Sequence, residues 1–116
     1  MSCWQDIYKH LKNEGFAVYS PGQHEGDCTT AYVVVKDEGT TQFGNFSSSK
    51  TLYDILCYVP KDQFSQLEPF VQRLEVSMLK LYPQVRPAHY KTPSFYDDTV
   101  KGHMISVQYI HYKKFI

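Results

Sequence analysis

From Thr51 to Val59 apolar side chains fall on both sides of an extended strand. Tyr53, Ile55, Cys57 and Val59 share one side; Leu52, Leu56 and Tyr58 share the other, around Asp54. The pattern predicts a strand in the middle of a sheet with cover on each face. Pro60 cannot donate to a ladder and closes it. The period then changes. Leu67, Val71, Leu74, Met78 and Leu81 make one apolar stripe, with Gln66, Gln72, Arg73, Glu75 and Lys80 off it. Ser65-Gln-Leu-Glu68 has the form of a capping box, and Phe64 and Pro69 stand where a hydrophobic staple would. The helix is therefore predicted to start at Ser65 or Gln66 and to end at Pro83.

The rest of the chain follows the same logic. Trp4, Ile7, Tyr8 and Leu11 recur at helical spacing after a possible Ser2 cap, with Gly15 as a stop. Phe16–Tyr19 reads as a short strand ended by Pro21-Gly22, and Gln23–Thr30 as a polar loop. Ala31–Lys36 is a second, β-branched strand, and Asp37-Glu-Gly39 a turn. Thr40–Lys50 is polar apart from Phe43 and Phe46, and is either an extended β-arm or a binding loop. Ser94–Tyr96 is a short strand. Asp97–Gly102 is a turn, with Gly102 the residue expected at positive φ. His103–Tyr112 is the last strand and Lys113–Ile116 a frayed end. The order α-β-β-β-α-β-β predicts an α+β domain. Its mostly antiparallel sheet has four to five strands, and both helices pack on one face.

Composition narrows the function classes. The 116 residues form one domain, with 12 basic and 12 acidic side chains. A neutral chain without a basic run argues against direct nucleic-acid recognition. No apolar run reaches the roughly 18 residues of a membrane span, and the first residues lack the pattern of a signal peptide. Cys3, Cys28 and Cys57, an odd number at unrelated spacings, suggest no disulfide framework. Aromatic residues make up 16% of the chain, more than a domain this small can bury, which suits a protein that packs against other chains.

Candidate chemistry is sparse. His24 and Cys28 lie four apart in a loop, but no second ligand pair follows at a zinc-like spacing. Cys28 as a nucleophile would need a base and an orienting partner, and nothing marks an oxyanion hole. His103 and His111 share a strand face eight residues apart, too far to hold one ion. Asp97-Asp98 reads as a solvated turn. No phosphate loop, nucleophile elbow or dinucleotide fingerprint is present. No catalytic residue, metal or cofactor is expected, and the chain is not expected to be an enzyme.

Three stretches, in this order and spacing, carry a resemblance. They are Tyr53–Pro60 running into Phe64–Val71, then Thr92-Pro-Ser-Phe-Tyr-Asp-Asp98, then Val100–Tyr109. Together with the opening helix, the strand after it and Tyr32-Val-Val-Val-Lys36, they resemble the tail terminator (tail-completion) proteins of long-tailed phages, prophages and phage-derived contractile particles. The resemblance implies a structural protein that forms a ring, typically a hexamer. Such a ring caps the head-proximal end of the tail tube, halts its polymerisation and offers a surface to the head–tail connector. In contractile tails it also meets the sheath protein. The implied place is the tail or neck of a virion assembled in the bacterial cytoplasm. The residues expected at partner surfaces are Phe43, Asn45 and Phe46 in the Thr40–Lys50 segment, and Asp97, Asp98 and His103 around the second turn. Another neck protein, or a small ligand- or nucleic-acid-binding α/β module, is the alternative.

Overall fold

The alternating stretch is the middle of a long strand with hydrogen-bonded neighbours on both sides. A computed structural model describes residues 3–24, 26–43 and 48–114, with 41–43, 48, 113 and 114 described by their backbone alone. Helix α1 (Cys3–Asn13) is followed by strands β1 (Val18–Tyr19), β2 (Tyr32–Phe43) and β3 (Ser48–Pro60). Helix α2 (Leu67–Leu79) and strands β4 (Arg86–Lys91), β5 (Phe95–Asp97) and β6 (Gly102–Lys114) complete it. The sheet order is β1-β2-β3-β6-β4, and β5 pairs with β6 at the opposite end from β4. The α+β class agrees with expectation, with one strand more than the expected maximum.

The core lies between the sheet and the two helices. Val33, Val35, Tyr53, Ile55, Cys57, Val59, Val107 and Tyr109 face it from the sheet, with Ile7 and Leu11 from α1. Leu67, Val71, Leu74 and Met78 of α2 are all almost fully buried. At ~1.5–3 kcal/mol each, that stripe contributes roughly 6–12 kcal/mol before chain entropy is subtracted. Leu81 packs against the same core from the turn after the helix. Trp4 stacks on Tyr8, with ring centroids 5.1 Å apart, and its indole N–H donates to the Val35 carbonyl at 2.7 Å. That bond satisfies a backbone acceptor on the outer edge of β2, past the end of the short β1.

Five expectations are corrected. First, β1 runs parallel to β2, Val18 opposite Val33. The segment from Ser20 to Ala31 is long enough to carry the chain back to its starting end, as a parallel connection requires. Second, Asp37-Glu-Gly39 is a bulge rather than a turn. Asp37 pairs with Tyr53 and Gly39 with Leu52, leaving Glu38 as the extra residue. Gly39 sits at φ +107° and donates its N–H to Asp37 Oδ1 at 2.7 Å, so the chain absorbs one residue and pairing resumes. Third, the capping box does not form. A single 3₁₀ turn over Phe64–Gln66 precedes α2, no side chain caps either piece, and the N–H of Leu67 bonds to the carbonyl of Phe64. Phe64 turns its ring edge to His103, 4.7 Å away, and is half exposed. Fourth, α2 ends at Leu79, and its last turn tightens through Leu81 N–H to Met78 O and Tyr82 N–H to Leu79 O, ahead of Pro83. Fifth, Gly102 is not at positive φ; Lys101, at +54°, takes that conformation.

The sheet is also covered less than expected. On the face away from the helices, cover by the described residues is confined to one end. There His24, Tyr32 and Tyr58 stack in series at 4.1 and 4.8 Å, with Tyr19 edge-on to His24 and Tyr32. Cys28 and Val100 belong to the same small cluster. Further along, Leu52, Asp54 and Ile110 are only half buried.

Candidate interaction surfaces

The Thr40–Lys50 segment resolves in favour of the arm. Thr40 to Phe43 continue β2 and pair residue for residue with Thr51 to Ser48 of β3, which pair in turn with His111 to Lys114 of β6. The result is a three-stranded extension past the helices. It accounts for a molecule 49 Å long and only 24 Å across its other two axes. Thr40 and Thr51 join across it through their hydroxyls at 2.7 Å. Phe43 is the last residue of β2. Asn45 and Phe46 lie outside the described residues.

Asp97, Asp98 and His103 stand at the other end. Gly102, which pairs with Asp97, and Lys114 at the arm's end are twelve residues apart on β6, about 40 Å at ~3.3 Å per residue. Of the four expected residues that are described, Phe43 thus stands apart from the other three. Those three are themselves split by the sheet. Asp97 Oδ2 accepts from the Tyr58 hydroxyl at 3.4 Å on the face away from the helices, and its Oδ1 accepts from the Thr99 N–H at 3.0 Å. Burial, reinforced by Asp97, pushes the Tyr58 hydroxyl up to about 12. Asp98 is exposed in the turn. His103 lies on the helix side, between the ring edges of Phe64 and Tyr96, with Nε2 3.2 Å from the Lys61 carbonyl.

The structure adds a surface that no sequence pattern marked. Val76, Leu79, Tyr90, Phe64 and Tyr96 are all more than two-fifths exposed. Val76, Leu79 and Tyr90 border a groove of about 390 Å³ between α2 and β4, floored by Val107 and Tyr109. Lys91 reaches across to Glu75 at 3.3 Å and also borders a second groove, of about 380 Å³, lined by Phe64, Val71 and Ile105. The only advance signal was the excess of aromatics. Val76 and Leu79 fall off the buried stripe of α2, on a flank that sequence periodicity leaves to solvent.

Groups with reactive potential are tied down. Burial pushes the Cys28 thiol up to about 11, and its S–H points at the Thr30 carbonyl, 3.3 Å away. His24 stacks on Tyr32. Cys3 is pushed up to about 11 by burial and by Asp6, and burial also raises Cys57, which lies wholly within the core. Ser77, His10 and Glu14 come together between the helices, but not as a catalytic triad. Glu14 Oε1 accepts from the Ser77 hydroxyl at 3.1 Å and from Lys80 at 2.7 Å, and His10 Nε2 lies 2.8 Å from the Ser77 carbonyl. A proton donated there leaves Nε2 unable to act as base for the hydroxyl. Among the described residues no three His, Cys, Asp or Glu side chains are placed to hold a metal ion, and no helix is long and apolar enough to cross a membrane.

Among the described residues, two side chains bury a polar atom without a hydrogen-bond partner: His24 at Nδ1 and, on the sheet face away from the helices, Asp54 at Oδ1. Burial, then its hydrogen bond to Glu38, raises the Asp54 carboxyl to about 6, while Gln108 and Lys36 act in the opposite sense. Lys36 holds Glu38 low, 3.1 Å away.

No family model matches this chain, and no curated protein matches it.

Proposed function

We propose that this chain is a structural assembly protein of a phage-type tail. In this reading it forms a ring of identical copies, six being typical of the family it resembles. The ring caps the head-proximal end of the tail tube, stops tube polymerisation and receives the head–tail connector, with the sheath as a further neighbour in a contractile tail. Its place is the tail or neck of the particle. The observation that carries the reading is the three-stranded arm, which extends past the helices and ends at Phe43 in a segment that also holds Phe46. An arm of this kind adds little to its own domain's core, and is suited to lie along another chain. The exposed aromatic and aliphatic side chains at and below the α2–β4 groove point the same way.

The mechanism is geometric. Tube rings template one another, so a terminator needs one face that fits the last ring and another that does not repeat it. Light scattering of the purified protein, followed by electron microscopy with tail tubes, tests this. The expected result is a discrete ring and tubes closed at one end. A chain that stays monomeric at high concentration and ignores tube ends overturns it.

A further inference from the structure

The sheet's two long outer strands, β2 and β4, are finished differently. Of the 12 residues of β2, only Val33 and Val34 have a described strand beyond them, the two-residue β1. There the Val33 N–H bonds to the Ala17 carbonyl at 2.9 Å, and the Trp4 indole meets the Val35 carbonyl, so Val33 and Val35 turn backbone groups outward. Residues of an antiparallel strand bond alternately to either side, so Lys36 faces Asp54 of β3. β3 runs against β6 without a shift in register, so Leu52 and Lys50 face β2 in their turn. Their partners are Gly39 and Thr41, which leaves the N–H and C=O of Thr40 and Gln42 directed outward, with no described strand beyond them. That stretch carries none of the usual guards of an edge. Past the Asp37–Gly39 bulge, Thr40–Phe43 holds no proline and no charge. β4 is guarded. Pro87 has no N–H to offer, and His89 sits at φ +59°. The ladder steps from Pro87–Tyr109 to Lys91–Val107, so Ala88, His89 and Tyr90 stand against Gln108 alone.

We infer that the outer edge of β2 at Thr40–Gln42 pairs with the same edge of a second copy, arm beside arm. The contrast between the two outer strands decides the occupant. An added strand needs a regular run of outward donors and acceptors, and the irregular β4 does not supply one. Copies that pair through their long outer strands therefore join β2 to β2. Like edges are related by a two-fold axis, which makes the pairing antiparallel. With Thr41 on the axis, Thr40 of each copy exchanges both backbone bonds with Gln42 of the other. This register leaves the bulge outside the pairing. It sets no like charges opposite one another, because residues 39–43 are uncharged. The arm gains most from it: two three-stranded arms that reach past the helices become one sheet of six strands. The inference goes beyond the ring reading and does not rest on it. A chain that also makes a ring contact would join two rings arm to arm.

The test reads single amides and single cysteines in the full chain. Hydrogen exchange at Thr40 and Gln42 should slow at least about tenfold as protein concentration rises, while Thr41 and Phe43, already bonded to β3, change less. Gln42→Pro removes an outward N–H and spares the ladder to β3, so it should halve the copy number seen by light scattering. Thr41→Cys places two thiols across the axis at a non-hydrogen-bonded pair, where Cα atoms stand about 4.5 Å apart, and should give a disulfide-linked dimer under mild oxidation. Lys36→Cys, five residues from the axis, should not. The three native cysteines are buried and leave little background. A chain that assembles while the Thr40 and Gln42 amides stay fast and Thr41→Cys fails to cross-link overturns the inference and leaves the ring reading standing. A chain that stays monomeric at high concentration overturns both.

Discussion

Gly102 shows how a residue can be required for a reason other than its backbone freedom. It opens β6 opposite Pro60, and a Cβ there would lie 2.9 Å from the Val59 carbonyl oxygen and 3.0 Å from Cys28 Cβ. The Cys28 loop is pinned against the same turn by its N–H bond to the Val100 carbonyl. Gly102→Val should therefore cost about 1–3 kcal/mol or more by overpacking, read as a lower midpoint in urea. Undiminished stability would show that the loop moves aside freely. Asp54 makes a prediction of the opposite kind. Unfolded, it ionises near 3.8; folded, at about 6. Between those values the folded state holds the extra proton, so this group's contribution falls as pH rises from about 4 to about 6, then stays level. Solvent screening of a half-exposed group holds the effect to about 1 kcal/mol or less. Glu38, held low by Lys36, acts in the opposite sense and only below its ordinary 4.5, so pH 4.5–6 is the window to read. Asp54→Asn should flatten the stability profile there and stabilise the protein at pH 7. An unchanged profile would show that Asp54 is not the group responsible.

At the scale of elements, the apolar stripe of α2 was legible because burial follows periodicity directly. Leu67, Val71, Leu74 and Met78 are where a 3.6-residue period puts them. Its start was not. Ser65 and Glu68 have the right spacing for reciprocal capping, but the chain leaves Pro60 in a turn, with the Gln63 N–H bonded to the Pro60 carbonyl. The 3₁₀ turn that follows meets backbone donors with backbone carbonyls. Ser65→Ala should then change stability by no more than about 0.5 kcal/mol, against about 1 kcal/mol for a working cap. A loss of that larger size in thermal or urea unfolding would restore the capping box. The Asp37–Gly39 bulge was missed for a related reason. Aspartate followed by glycine at positive φ serves a bulge as well as a turn, and the choice depends on whether β3 remains alongside.

At the scale of the molecule, β3 crosses two environments. From Tyr53 to Val59 it has strands on both sides and helices over one face; from Ser49 to Thr51 it has strands on both sides and, among the described residues, no part in the core under the helices, although Ser49 itself is buried. Hydrogen exchange on the monomer should show the Ser49–Thr51 amides opening at least about tenfold faster than those of Ile55–Val59. Equal protection in the monomer would mean that the arm belongs to the same cooperative unit as the body.

The first five elements in order, the α+β class and the identity of the buried stripe were properties of the sequence, since each follows from local spacing and side-chain size; β4, with Pro87 and a positive-φ His89 inside it, was missed. Three things waited for the tertiary structure. The parallel β1 depends on where a twelve-residue connection returns. The arm depends on three strands remaining in register beyond the helices. The groove depends on how far α2 stands from β4. Each of these is a distance between segments remote in sequence, and local pattern carries no information about such distances.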